Sequence, residues 1–184
     1  PAFSPTAIIR ALINNVKGGD IQGGSTITQQ FVKIAYLTQE QTLERKLREL
    51  MIAVKLESQS SKDEILSDYL NAIYFGRGAY GIETAANQYF DKRAAELSVA
   101  ESIVLASIIR SPGLYDPSSG SNNLSNLKLR FAGVKRIMLE KDWISEEVSK
   151  SMTFPPIAPR KNLNTFEGVT GYVMEEVRKE LYSL

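Results

Sequence analysis

The 184-residue chain has no cysteine and no histidine. Disulfide frameworks, thiolate zinc sites, cysteine nucleophiles and every histidine-based triad are excluded at once, so carboxylates, Lys, Ser, Thr or Tyr must carry any chemistry. Zero cysteine suits an exported protein as well as a cytosolic one and does not place the chain. Charge of one sign is also lacking. With 22 Lys and Arg against 21 Asp and Glu the net charge is +1. That is too weak a field to gather duplex nucleic acid by counterion release, so no nucleic-acid partner is expected and any anion site must be local. Long apolar runs are missing too: the longest, residues 97–109, is broken by Ser98, Glu101, Ser102 and Ser107, and a membrane span needs about 20 apolar residues. No internal repeat of solenoid length is found. What is present is globular composition, 43% apolar and 23% charged, which predicts a compact domain with a real core. The chain opens on Pro1 with no signal pattern behind it and reads as part of something longer.

Helical spacing dominates the pass along the chain. Ser4 and Pro5 start a helix carrying Ile8, Ile9, Leu12 and Val16, which Gly18 and Gly19 stop. The Gly23-Gly24 loop then enters a helix with Phe31 and Val32, where Thr26 and Gln29 have capping-box spacing. From Thr42 runs the strongest helical pattern, in which Leu43, Leu47, Leu50 and Val54 form the expected core face. Its reverse side carries Glu49 between Arg45 and Ala53, with Ile52 and Leu56 behind, so Glu49 is expected to be partly desolvated. Ser61 with Glu64, and Ser98 with Glu101, make two further capping boxes, the first before Ile65, Leu66, Tyr69, Leu70 and Ile73. Residues 75–81 read as a glycine-punctuated loop, and residues 83–90, 124–140, 145–152 and 170–182 as helices. No segment alternates with period two, so the fold is expected to be all-α or nearly so. Pro155, Pro156 and Pro159 mark residues 154–165 as a linker that leaves the domain.

Where the chemistry sits is less determined by spacing. A glycine loop entering a capped helix presents free backbone N–H groups to an anion, though most such loops only turn the chain. Lys33, Arg45 and Lys46 would converge there if the two helices pack as a hairpin; otherwise they form a solvated basic face. Glu49 is either an i, i+4 surface partner of Arg45 or a carboxylate able to hold a divalent cation or a reacting group. Glu83 reads equally well as an ordinary first-turn acid.

Three motifs in order carry a resemblance: Gly23-Gly24-Ser25-Thr26-Ile27-Thr28-Gln29-Gln30, then Arg45-Lys46-Leu47-Arg48-Glu49, then Tyr69-Leu70-Asn71 running to Gly76-Arg77-Gly78-Ala79-Tyr80-Gly81. They continue through Ala85-Ala86, Tyr89-Phe90, Leu97-Ser98, Glu101, Pro112, Tyr115 and Pro117. Together they resemble the peptidoglycan glycosyltransferase domain of class A penicillin-binding proteins. The resemblance implies a mainly α, lysozyme-like domain of two lobes at the outer face of the cytoplasmic membrane. Its partners would be lipid II and the growing glycan strand, polymerised with inversion and release of polyprenyl pyrophosphate. It further implies that Gly24, Ser25, Thr26, Gln29, Gln30, Lys33, Arg45 and Lys46 bind substrate, with Lys33 and Arg45 on the phosphates. Glu49 would be a catalytic carboxylate that positions the diphosphate or its metal ion, Mg or Mn.

The resemblance also predicts departures. The family's first motif, whose Glu is the general base, is expected upstream of Pro1, so this chain alone is expected to be weakly active or inactive. Gln41 stands where many members carry Arg, and Ile34 where many carry Asn. The expected division is residues 1–153 as glycosyltransferase domain and 154–184 as linker and helix; Tyr172-Val173 and Val177-Arg178 resemble the lead-in to a transpeptidase domain. The competing readings are a lysozyme-like lytic hydrolase, which needs an accessible acid and no cation cluster, and a non-catalytic lipid II binding module. The donor's lipid should stay in the bilayer, with Ile21, Ile27, Phe31 and Tyr36 as the membrane-facing candidates.

Overall fold

The structure, a computed structural model, describes residues 25–36 and 42–161. The expected helix at residues 4–16, the Gly23-Gly24 loop, Ile21, Gln41 and the helix at 170–182 lie outside the described residues. Those described form eight α-helices: α1 (Ile27–Tyr36), α2 (Leu43–Gln59), α3 (Lys62–Ala72), α4 (Ile82–Phe90), α5 (Val99–Ile109), α6 (Pro112–Tyr115), α7 (Asn123–Glu140) and α8 (Glu146–Ser151). A 3-10 turn, Ala94–Glu96, follows α4. Among the described residues the only β pairing is an isolated bridge between Tyr74 and Tyr80, so the mainly α expectation is met. The chain divides into two compact units, Pro1–Tyr69 and Leu70–Leu184, with the division inside α3.

In the first unit α1 packs on α2. Thr28, Gln29, Phe31 and Val32 of α1 are buried, as are Glu49 and Ala53 of α2 and Ile65 and Tyr69 of α3. The core face expected for α2 is corrected here. Leu47 is 58% and Val54 48% exposed, Leu50 is half-buried, and the buried stripe runs through Glu49 and Ala53, with Arg45, Ile52 and Leu56 beside it. Periodicity alone could not choose, because both sides of α2 carry apolar residues and a helix buries whichever side its neighbours cover. The Ser61 capping box forms as expected, the Ser61 N–H donating to Glu64 Oε2 at 2.7 Å and the Glu64 N–H to Ser61 Oγ at 3.2 Å.

In the second unit α5 packs against α7 and α6, and α8 packs on α7. Ile103, Val104, Leu105, Ile108, Leu127 and Phe131 supply its buried apolar centre. The Ser98–Glu101 capping box starts α5. Between α3 and α4, the glycine loop closes as a tight turn, the Phe75 N–H donating to Ala79 O at 2.9 Å and the Gly81 N–H to Ile73 O at 3.0 Å. Gly81 has φ +85, and a Cβ there would stand 2.8 Å from the Asn71 carbonyl oxygen, so glycine is required for both conformation and space.

Arg77, in the same turn and itself at φ +55, is the hub of this unit. Its Nε donates to Asp116 Oδ1 at 3.0 Å and its Nη1 to the carbonyls of Gln88 at 3.1 Å and Ala158 at 2.8 Å. Its guanidinium lies 4.2 Å from the Tyr89 ring centroid. The Ala158 N–H in turn donates to Tyr89 O at 2.8 Å, Pro155 is buried, and Lys161 pairs with Asp91. Residues 154–161, expected to leave as a linker, are therefore fastened to this unit. Prolines mark a chain that cannot join helices, and that describes a strap across a surface as well as a linker.

Candidate active site

The site forms where the start of α1 meets the first turns of α2. Thr26 accepts a hydrogen bond from the Gln29 N–H at 3.2 Å, and Thr42 accepts from the Arg45 N–H at 3.1 Å. Both helices thus begin on a threonine cap, as these residues favour. The Thr26 cap is one half of the expected box; Gln29 is buried, and the neighbouring Gln30 turns back instead, its Nε2 donating to Ser25 O at 3.4 Å.

Glu49 is 2% exposed, deeper than the partial desolvation expected. Its Oε1 pairs with Lys46 Nζ, and its Oε2 lies 3.7 Å from Arg45 Nη1, beyond hydrogen-bond reach. Lys46 Nζ also donates to Ser25 Oγ at 3.3 Å. The surface ion-pair reading of Glu49 is thereby excluded, since burying a carboxylate needs charged partners to offset its desolvation. Arg45 is the unusual member: its Nε and Nη1 are buried atoms with no hydrogen-bond partner among the described residues. An unfilled buried donor costs about 1–3 kcal/mol, and such an atom is accounted for when a ligand brings the acceptor.

Of the predicted substrate residues, the structure brings Ser25, Lys46, Arg45 and Glu49 into one cluster, with Gln30 joined to Ser25. Thr26 and Gln29 serve the start of α1. Lys33 lies exposed on α1, and Gly24 is outside the described residues. Two cations, Arg45 and Lys46, stand at the Glu49 carboxylate. No group of three or more acidic side chains gathers among the described residues. A divalent cation on Glu49 would have to draw its other oxygen ligands from water and a bound diphosphate, as magnesium usually does, and would compete with Lys46 and Arg45 for the same carboxylate.

Tyr69 was not among the predicted site residues, yet its hydroxyl donates to Gln30 Oε1 at 3.2 Å, and burial pushes its phenol pKa up. The only sequence signal was a tyrosine at a core position of α3, where a buried hydroxyl must find a partner. Glu83, by contrast, accepts from the Ala94 N–H at 2.9 Å and faces Arg93, which makes it the ordinary acid of its alternative reading. Of the membrane-facing candidates, Phe31 is corrected: it is 7% exposed and packs edge-on to Tyr36 at 6.2 Å. Ile27 and Tyr36 are exposed, as is Ile34. No helix among the described residues is long and apolar enough to cross a membrane.

A buried carboxylate between two cations, beside a capped helix start, is an arrangement whose chemistry suits an anionic group. The family model described as Transglycosylase matches residues 1–139, and the chain belongs to that family. Penicillin-binding protein 1A of Mycobacterium tuberculosis is 42% identical over 191 residues, covering 100% of this chain and 23% of that protein. Penicillin-binding protein 1A of Aquifex aeolicus is 40% identical over 182 residues, covering 98% and 24%. A solved structure, penicillin-binding protein 1A from Haemophilus influenzae, is 24% identical with a TM-score of 0.49, covering 84% of this chain and 19% of that one. The chain thus spans about a quarter of the length of these curated relatives.

Proposed function

We propose that this chain is the part of a penicillin-binding protein that carries peptidoglycan glycosyl transfer, elongating glycan strands from lipid II. The observation that carries the reading is Arg45, whose empty buried donors sit beside Lys46 and Glu49 at the entry to α1. In this transfer the 4-hydroxyl oxygen of one sugar bonds to the anomeric carbon of the donor. The bond from that carbon to the diphosphate oxygen breaks with inversion, the hydroxyl proton passes to a base, and polyprenyl pyrophosphate leaves. Negative charge grows on the diphosphate as the bond breaks, so preorganised donors aimed at it lower the barrier. Arg45, Lys46 and the N–H groups at the start of α1 supply those donors, with Lys33 reaching from further along the helix. Glu49 holds Lys46 and Arg45 in place before substrate arrives. Gly24, Ser25, Thr26, Gln29 and Gln30 shape the loop that approaches the phosphates. Glu49 is the residue that would hold a magnesium or manganese ion, which would neutralise leaving-group charge; EDTA treatment during the assay tests that part alone.

A lytic hydrolase would need a carboxylic acid free to protonate a glycosidic oxygen, and the engagement of Glu49 by two cations speaks against it. The reading further places the protein at the extracytoplasmic face of the cell membrane, with exposed Ile27, Ile34 and Tyr36 towards the lipid, and with a transpeptidase domain following residues 154–184. Polymerisation of lipid II by the full-length protein tests the proposal. Glycan strands are expected from the wild type, with a loss of about a hundredfold in Arg45→Ala, the effect scale of one transition-state donor. Release of sugar from preformed strands with no polymer made would establish the hydrolase instead.

A further inference from the structure

The hydrogen bonds behind the cation cluster form one continuous chain. Tyr69 Oη donates to Gln30 Oε1 at 3.2 Å, Gln30 Nε2 donates to Ser25 O at 3.4 Å, and Lys46 Nζ donates to Ser25 Oγ at 3.3 Å while pairing with Glu49. A primary amide has distinct ends, so a hydroxyl that donates to its oxygen leaves the NH2 group facing the other way. Tyr69 is 5% exposed and held by its ring in the core of the first unit, whereas Gln30 and Ser25 are exposed. The rigid member therefore orients the solvent-facing ones.

We propose that Tyr69 is a positioning residue: its hydroxyl sets the Gln30 amide, which ties down Ser25 so that the Lys46 ammonium is presented beside Glu49 to the substrate's diphosphate. Tyr69 touches no substrate in this scheme; it acts through Gln30. The inference rests on the proposed glycosyl transfer. It predicts that loss of one hydroxyl loosens the donor site without unfolding the protein, because the ring that fills the core is kept.

The test is a double-mutant cycle in the full-length protein with Tyr69→Phe, Gln30→Leu and the pair, reading KM and kcat for lipid II together with Tm. Tyr69→Phe is expected to raise KM about tenfold, the scale of one net hydrogen bond, with kcat falling much less and Tm little changed. Gln30→Leu should do the same, and Tyr69→Phe should add nothing further in the Gln30→Leu background, since both changes break the same chain. Multiplicative effects of the two substitutions, or a lowered Tm with unchanged KM, would overturn the inference and leave Tyr69 as a core residue. A wild-type protein that neither binds nor polymerises lipid II would bring down the functional reading, and this inference with it. Normal wild-type activity with an unaffected Tyr69→Phe variant would bring down the inference alone.

Discussion

Two buried ion pairs, one in each unit, are built from the same chemistry and finished differently. Arg77 and Asp116 are each 2% exposed at the side chain, and neither leaves a buried donor or acceptor without a partner. Arg77 reaches two carbonyls and an aromatic face besides its carboxylate, while Asp116 accepts from the Ser118 N–H at 3.0 Å and from the hydroxyls of Ser118 and Ser119. Arg45 and Glu49 are almost as enclosed, at 14% and 3%, yet two buried donors of Arg45 find no partner among the described residues. The saturated pair closes its network on the protein itself, and the unsaturated pair leaves room for a ligand's acceptor. Buried charge alone therefore does not mark a site; the unfilled hydrogen-bonding capacity does.

That contrast can be broken by substitution, and the largest effect is expected in the saturated pair. Asp116→Ala strands the Arg77 guanidinium in the interior and should cost about 3–5 kcal/mol, read by denaturant unfolding of the full-length protein. A loss below 1 kcal/mol would show that water replaces the carboxylate. Next in size, Arg45→Met and Lys33→Ala should each weaken lipid II binding by about 1.5–3 kcal/mol, the range for hydrogen bonds to charged groups. The melting temperature should stay unchanged for Lys33→Ala and fall for Arg45→Met, which also takes one cation from the buried Glu49 carboxylate. Equal weakening by both would sharpen the comparison, since Lys33 is exposed and Arg45 is not.

A smaller effect is expected with pH. Burial raises the Asp116 carboxyl pKa, but the hydrogen bonds from Ser118 and Arg77 outweigh it and hold the group below its ordinary value. The unfolded chain titrates this carboxyl near pH 4, so its contribution to stability is fully present above that and is lost as the pH falls through the lower folded-state value. Urea midpoints measured from neutral pH down to about 3 should therefore fall less steeply in Asp116→Asn than in the wild type. The smallest effect belongs to Glu83, whose exposed pairing with Arg93 should contribute less than about 1 kcal/mol. Glu83→Ala is expected to leave Tm within a few degrees and KM for lipid II unchanged.

What could be read from the sequence follows the range of each interaction. The Ser61–Glu64 and Ser98–Glu101 caps are complete within four residues and were legible; so was the approach of Lys46 and Arg45 to Glu49, one helical turn apart. The buried side of α2 was not, because Leu47 and Val54 are as apolar as Ile52 and Leu56, and only tertiary packing separates them. Arg77 was beyond reach for a different reason. Its partners Asp116 and Ala158 lie 39 and 81 residues away, and no local pattern links them. The tie from Tyr69 to Gln30 spans 39 residues and was hidden in the same way. The prolines of residues 154–161 mark where helix stops and carry no information about whether the chain then departs or straps itself down.

Whether Arg45 is held open for a diphosphate is measured most directly by calorimetric titration of inorganic pyrophosphate into full-length wild type and Arg45→Met, with a melting curve for each. Saturable binding by the wild type, at least about tenfold weaker in Arg45→Met, with the variant still folded at the titration temperature, is the predicted result. Equal affinity in the two proteins, or a variant that binds less only because it has begun to unfold, would contradict it.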